Sequence, residues 1–118
     1  MFVALWEFEV KPGSEDRFQR VYGPKGQWVR LFRRDPHFRG AQLRRDPSRP
    51  LVYFTIDFWD SKAAYQHFLT KNRVPYQAID RSTEGLTRRE RHILCFELPS
   101  RSSRYTNIPT SPSAGKSG

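Results

Sequence analysis

Two carboxylates sit inside the most apolar stretches of this chain. Glu7 falls in Phe2–Val10 and Asp57 in Leu51–Trp59, segments otherwise rich in aromatic and β-branched residues. With a strand period of two, Glu7 and Glu9 share a face with Val3 and Leu5, and Asp57 shares one with Leu51, Tyr53, Thr55 and Trp59. Both acids lie towards the C-terminal ends of their strands, which would bring them close. Two neighbouring carboxylates in an apolar wall push one pKa up, the condition for a general base near neutral pH. Tyr53 and Thr55 offer hydroxyls to a ligand oxygen, and Trp59 offers a ring for stacking. His67 is a third candidate base, roughly 60° from Ala64 at 100° per residue, on the edge of a helical apolar stripe.

Each candidate also has a plainer reading. Glu7 and Asp57 could pair with arginines at a subunit interface, such as Arg39 or Arg91. Tyr53 and Thr55 could be ordinary half-buried strand residues, Trp59 a core residue, and His67 a surface one. His37 and His92 are expected in solvent. No two histidines have metal-ligand spacing, no Gly-rich phosphate loop is present, and the single cysteine, Cys95, allows neither an internal disulfide nor a thiolate cluster.

The elements that must position these groups are legible in turn. Phe2–Val10 alternates as a first strand, closed by Lys11-Pro12-Gly13, and Ser14 suits the N-cap of a helix with Glu15 and Asp16 in its first turn. Phe18, Val21, Tyr22, Trp28, Val29 and Phe32 form an apolar stripe that Gly23-Pro24-Lys25-Gly26 interrupts, so a break is expected before the helix resumes to about Arg34. A second strand runs from about His37 to Arg45, with Gly40 marking a bulge or close approach. Leu51–Trp59 is the third, and Asp60-Ser61 caps a second helix carrying Ala64, Tyr65, Phe68 and Leu69. Asn72–Pro75 breaks that helix, Tyr76, Ile79, Thr83 and Leu86 continue at helical spacing, and Arg91–Leu98 alternates as a fourth strand. Residues 1–98 are expected to form one domain, and 99–118 a disordered Ser/Pro-rich tail.

The order β-α-β-β-α-β defines an α+β, ferredoxin-like fold: a four-stranded antiparallel sheet with helices on one face. Right-handed crossovers are expected to make strands one and three parallel, adjacent and central. The helix side should take Ala4, Trp6, Phe8 and Val10 from strand one and Val52, Phe54, Ile56 and Phe58 from strand three. The opposite face would still be apolar enough to need covering, and a second copy of the chain would cover it.

Composition bounds the function. The formal charge is +9, but Arg101, Arg104 and Lys116 of the tail carry three of these charges, and in residues 1–98 the basic groups are interspersed with acids. The Arg30–Arg45 cluster reads first as a solvated face, so nucleic-acid binding ranks last. No run of 18 apolar residues is present, and the apolar start lacks a basic flank and a cleavage site, so a cytoplasmic protein without a membrane segment is expected.

Trp6-Glu7-Phe8-Glu9-Val10-Lys11-Pro12-Gly13 resembles the first strand and turn of the antibiotic biosynthesis monooxygenase family of dimeric α+β barrels. Tyr22-Gly23-Pro24 with Trp28, Leu31, Phe32 and Arg33 is similar to its broken first helix. Thr55–Ser61 with Ala64, Tyr65 and Phe68 is similar to its third strand and second helix. The resemblance spans residues 2–98. It implies a homodimer with a cavity in each protomer, and a cofactor-independent monooxygenase acting on a small aromatic or quinol-type substrate with O₂ as co-substrate. A non-catalytic dimeric ligand-binding or interaction protein of the same fold is the alternative. On this resemblance Asp57, Glu7 and His67 are the candidate catalytic residues, and Tyr53, Thr55, Trp59, Trp6 and Phe54 the candidate substrate contacts, with no metal. Haem-degrading relatives use an Asn on strand one, a Trp ending strand three and a His after the second helix. Here Trp6, Trp59 and Asn72 stand near those places, so haem is disfavoured. A cavity between sheet and helices would be walled by Trp6, Phe54 and His67, whereas a space at the dimer seam would bring in Glu7, Tyr53, Thr55, Asp57 and Trp59.

Overall fold

The structure is a computed structural model, and it describes residues 1–99. The expected tail therefore lies almost wholly outside the described residues. The elements are β1 (Phe2–Val10), α1 (Glu15–Tyr22), α2 (Gln27–Phe32), β2 (Phe38–Arg45), β3 (Val52–Trp59), α3 (Lys62–Lys71), α4 (Arg73–Thr83), a 3₁₀ turn (Glu84–Leu86) and β4 (Thr87–Glu97). This is the ferredoxin-like order, with each helical crossover broken in two. No helix among the described residues is long and apolar enough to cross a membrane.

The breaks have local causes. Gly23 and Pro24 end α1, and Gly26 sits so close to it that a Cβ there would overlap the carbonyl oxygens of Arg20 and Val21. Gly26→Ala is therefore expected to pry α1 from α2 and destabilise the fold by about 1–3 kcal/mol, the range for overpacking. A fall in the urea midpoint with unchanged slope would show it, and an unchanged midpoint would refute it. Ser61 caps α3, its Oγ accepting from the Ala64 amide at 3.0 Å. Ser14 does not cap α1 with its side chain. Glu15 Oε1 instead accepts from the Gly13 amide at 2.7 Å, tying the turn from the helix side. Gly40 does mark a bulge: the register shifts between Phe38 and Gly40, and its φ of 141° is one that side chains disfavour.

The sheet order is β2-β3-β1-β4, with every neighbouring pair antiparallel. The expectation that β1 and β3 run parallel is thus corrected. The crossover from β1 leads to β2, which is parallel to β1 but one place removed, and the β2–β3 hairpin folds β3 back into the gap. Asp46 fixes that hairpin. It accepts from the Ser48 amide and hydroxyl, both at 2.8 Å, and these bonds with Arg49 hold its carboxyl down at about 2.

The face of β3 is also corrected. Directly paired residues share a face. Phe2 pairs with Trp59, Ala4 with Asp57, Trp6 with Thr55 and Phe8 with Tyr53. Of these, Phe2, Phe8, Tyr53 and Trp59 join Phe18, Tyr22, Phe32 and Phe68 of the helices in the core. Val52, Phe54, Ile56 and Phe58 pair with Glu9, Glu7, Leu5 and Val3 on the open face. Both parities of β3 are apolar enough for a core, so hydrophobicity could not choose between them. The helix side took the parity of Tyr53 and Trp59, which pack beneath the helices.

On β4 a bulge falls opposite the Leu5–Trp6 step. Leu94 pairs with Leu5 and His92 with Trp6, leaving Ile93 as the extra residue. Beyond it, Arg91 and Arg89 lie opposite Glu7 and Glu9 on the open face, and Glu90 lies opposite Phe8 on the helix face.

Candidate active site

A cavity opens between the sheet and the helices. Its aromatic wall is Trp6 and Phe8 of β1, Tyr22 of α1, Trp28 and Phe32 of α2, and Tyr76 of α4. Trp28 and Tyr76 meet edge to face at 4.8 Å. Its polar groups are Thr55 and Asp57 of β3, Gln42 of β2, Asp80 of α4 and Glu90 of β4. The space open to the centre of a water-sized sphere is about 50 Å³. At roughly 10–15 Å³ per water on that measure, this is room for a few waters or one small ring.

Asp57 is the unusual group. It is 8 % exposed, and burial pushes its carboxyl up to about 7, with no cation or hydrogen-bond donor among the described residues opposing the shift. The carboxyl in turn raises the Tyr65, Tyr76 and Cys95 pKa values, in each case behind the larger effect of burial. A carboxyl ionising near neutrality in an aromatic pocket can take a proton from a bound acid and give it back. Trp28 supplies the complement. Its Nε1 is buried without a hydrogen-bond partner among the described residues. Its pull on the Tyr22 hydroxyl falls short of hydrogen-bond geometry. A buried N–H left open in this way favours a ligand oxygen.

The model of the antibiotic biosynthesis monooxygenase family matches residues 1–74. The chain is a member of the antibiotic biosynthesis monooxygenase family. Solved structures carry the same fold at low identity. The cofactor-independent oxygenase SnoaB from Streptomyces nogalater, solved as a mutant, is 19% identical with a TM-score of 0.63, over 82% of this chain and 91% of that one. PA3566 from Pseudomonas aeruginosa is 16% identical with a TM-score of 0.58, over 82% and 90%. A structure described only as an antibiotic biosynthesis monooxygenase is 14% identical with a TM-score of 0.61, over 84% and 99%. No curated protein sequence matches the chain.

In this family member the structure brings Trp6, Thr55 and Asp57 together at the cavity and leaves the other candidates elsewhere. Tyr53 and Trp59 share the helix face but are buried in the core, with Tyr53 Oη accepting from Gln19 Nε2 at 2.8 Å. Glu7 and Phe54 lie on the open face. Glu7 is bound by Arg91 and by Arg49 at 3.2 Å, and the Arg91 hydrogen bond leads in holding its carboxyl below the usual range. Glu7 and Asp57 are therefore not a pair. His67 is exposed on α3, and His37 and His92 are exposed as well. His92 Nε2 meets Cys95 Sγ at 2.9 Å, and its ring lies 4.9 Å from that of Trp6.

Among the cavity groups that sequence reasoning missed are Trp28, Tyr76, Asp80 and Glu90. Tyr76 and Asp80 carried a signal, since four residues apart on α4 they share a face. Trp28 was absorbed into the apolar stripe. Glu90 had no local signal, because its side of the sheet depends on the bulge at Ile93.

Proposed function

We propose that the protein is a cofactor-independent monooxygenase of a small, single-ring aromatic or quinol-type substrate, with O₂ as co-substrate. The observation that carries this reading is the buried Asp57 carboxyl, shifted to about 7 and facing an aromatic cavity. Asp57 takes a proton from the substrate, and the resulting anion gives one electron to O₂. The radical pair joins as a peroxide, which is protonated and loses water to leave a carbonyl. For a hydroquinone the sum is hydroquinone plus O₂ giving hydroxyquinone plus water. Trp28 and Thr55 line the cavity, and on this reading the Trp28 Nε1–H and the Thr55 hydroxyl hold the developing oxyanion or peroxide.

The residues do not fit a haem. The space is too small for a macrocycle, Trp59 is packed into the core, and Asn72 spends its side-chain amide on the Phe68 carbonyl at 3.0 Å. No step therefore runs through haem. O₂ uptake on a panel of single-ring hydroquinones tests the reading. Uptake above the buffer rate that saturates with substrate is expected, and none across the panel would reject it. The alternative, a non-catalytic binding protein of the same fold, draws support from the small cavity, and binding without any turnover would favour it.

The working unit on this reading is a homodimer. Leu5, Phe54 and Ile56 are half-buried on the open face, and Leu94 and Phe96 are 43% and 40% exposed there. An apolar patch of this kind is unusual for a lone soluble chain. Sedimentation is expected to give about twice the 14.0 kDa chain mass for the protein and the monomer mass for Ile56→Glu. A monomeric wild type would refute the dimer.

A further inference from the structure

We propose that the cavity selects a compact ligand carrying one organic cation, a ring bearing an ammonium group, with the charge held at the mouth by Asp80 and Glu90. The inference deepens the proposed function and rests on it for the location of the site.

Charge is sorted by face in this protein. The chain has nine more basic than acidic residues, yet the charged groups lining the cavity are Asp57, Asp80 and Glu90, all acids. On β4 the alternation sends Arg89 and Arg91 to the open face, where they line a recess with Glu7 and Glu9, and turns Glu90 inward. Asp80 and Glu84 raise the Glu90 pKa further, behind the effect of its partial burial, so Asp80, Glu84 and Glu90 share one field. The ion pairs among the described residues engage Glu7, Glu9, Asp46 and Asp60 and leave Asp57, Asp80 and Glu90 out.

An acidic cluster alone would say little. Here it is joined to Asp57, 8 % exposed and unpaired among the described residues, and to a wall of six aromatic rings. Ring faces attract cations within about 6 Å of their centroids, most strongly those of Trp and Tyr, and carboxylates beside such rings complete a cation cage. A metal ion is the wrong occupant. Among the described residues no group of three or more His, Cys, Asp or Glu could hold one, and aromatic walls offer it no ligands.

The chemistry points the same way. Removing a proton from an uncharged phenol would create an anion facing the carboxylates of Asp80 and Glu90, beside the Asp57 carboxyl that has taken the proton. An ammonium at Asp80 and Glu90 offsets that field while the ring reaches Asp57 and Trp28.

Three single-ring phenols of similar size separate the cases: tyramine, 4-ethylphenol and 4-hydroxyphenylacetate, which are cationic, neutral and anionic. Calorimetric titration of the full chain is expected to give tyramine an affinity at least about tenfold above 4-ethylphenol, with 4-hydroxyphenylacetate weakest. In the Asp80→Asn/Glu90→Gln double variant the preference should fall below about threefold. Both residues are exposed, so the fold should tolerate the change. The wild type gives a second measurement that needs no variant: the preference should shrink as salt rises from about 0.02 M to about 0.5 M. Equal affinity for tyramine and 4-ethylphenol, no binding of tyramine, or a preference that survives in a folded double variant would each overturn the inference. Oxygen uptake is a separate readout. Tight tyramine binding with no oxygen uptake across the hydroquinone panel would sink the oxygenase reading alone, and turnover of neutral hydroquinones with charge-blind binding would sink this inference alone.

Discussion

Asp57→Asn is expected to lower turnover by about 100-fold or more, the usual loss when a general base is removed. The same substitution should make the protein more stable in alkaline solution. Burial lifts the Asp57 carboxyl from 3.8 to about 7 in the folded chain. A group raised on folding adds stability that is complete below its unfolded pKa and is lost as pH rises through its folded one. The affected window runs from about pH 4 to about pH 7. At roughly 1.4 kcal/mol per pH unit the loss across it is about 4 kcal/mol, a large share of the stability of a small domain. Urea titrations at about pH 4 and about pH 8 should show the wild type losing stability relative to Asp57→Asn as pH rises. In the wild type kcat/KM should climb with pH and level off above about pH 7, because the base acts in its ionised form. Identical pH responses of the two proteins would remove Asp57 from the role.

Trp59→Ala should be the most damaging single change in the core. Trp59 is fully buried at the end of β3, and its ring lies within 4.8–5.6 Å of those of Phe32, Phe38, Tyr65 and Phe68. It therefore joins α2, the start of β2 and α3 at one point. Truncating a buried Trp costs about 3–5 kcal/mol, enough to unfold much of a marginal domain. Trp59→Phe keeps most of the packing and gives up an indole N–H that has no partner among the described residues, so a cost within about 1–2 kcal/mol is expected. Thermal unfolding of both variants checks this. A substrate-stacking role would give the opposite pattern, with Trp59→Phe raising KM and neither variant losing stability.

Much of the frame can be read locally in the chain. Period-two alternation marks β1 and β3, Gly23-Pro24 marks the break between α1 and α2, and Ser61 marks the start of α3, each a signal contained within a few residues. The site is legible only in part because it is assembled by pairing. Asp57 and Thr55 stand out as polar residues in an apolar strand, but which side of the sheet they face follows from the β1–β3 register and not from their own composition. Phe54 and Tyr53 changed places for that reason. Glu7 looked like a partner for Asp57 because both are acids on central strands. Its leading partner, Arg91, lies 84 residues away and is brought opposite only by β4.

The bulge at Ile93 acts as a frame shift written in three dimensions. If β4 paired straight through from Leu94 opposite Leu5, Ile93 would face Trp6, Arg91 would face Phe8, and Glu90 would be thrown against Glu9 on the far side. The cavity wall would then carry a guanidinium where it now carries a carboxylate, and Glu7 would lose Arg91 and keep only Arg49. One unpaired residue thus sets the sign of the field inside the pocket without adding a charge to it. The polarity of the site is encoded in strand phase as much as in residue identity.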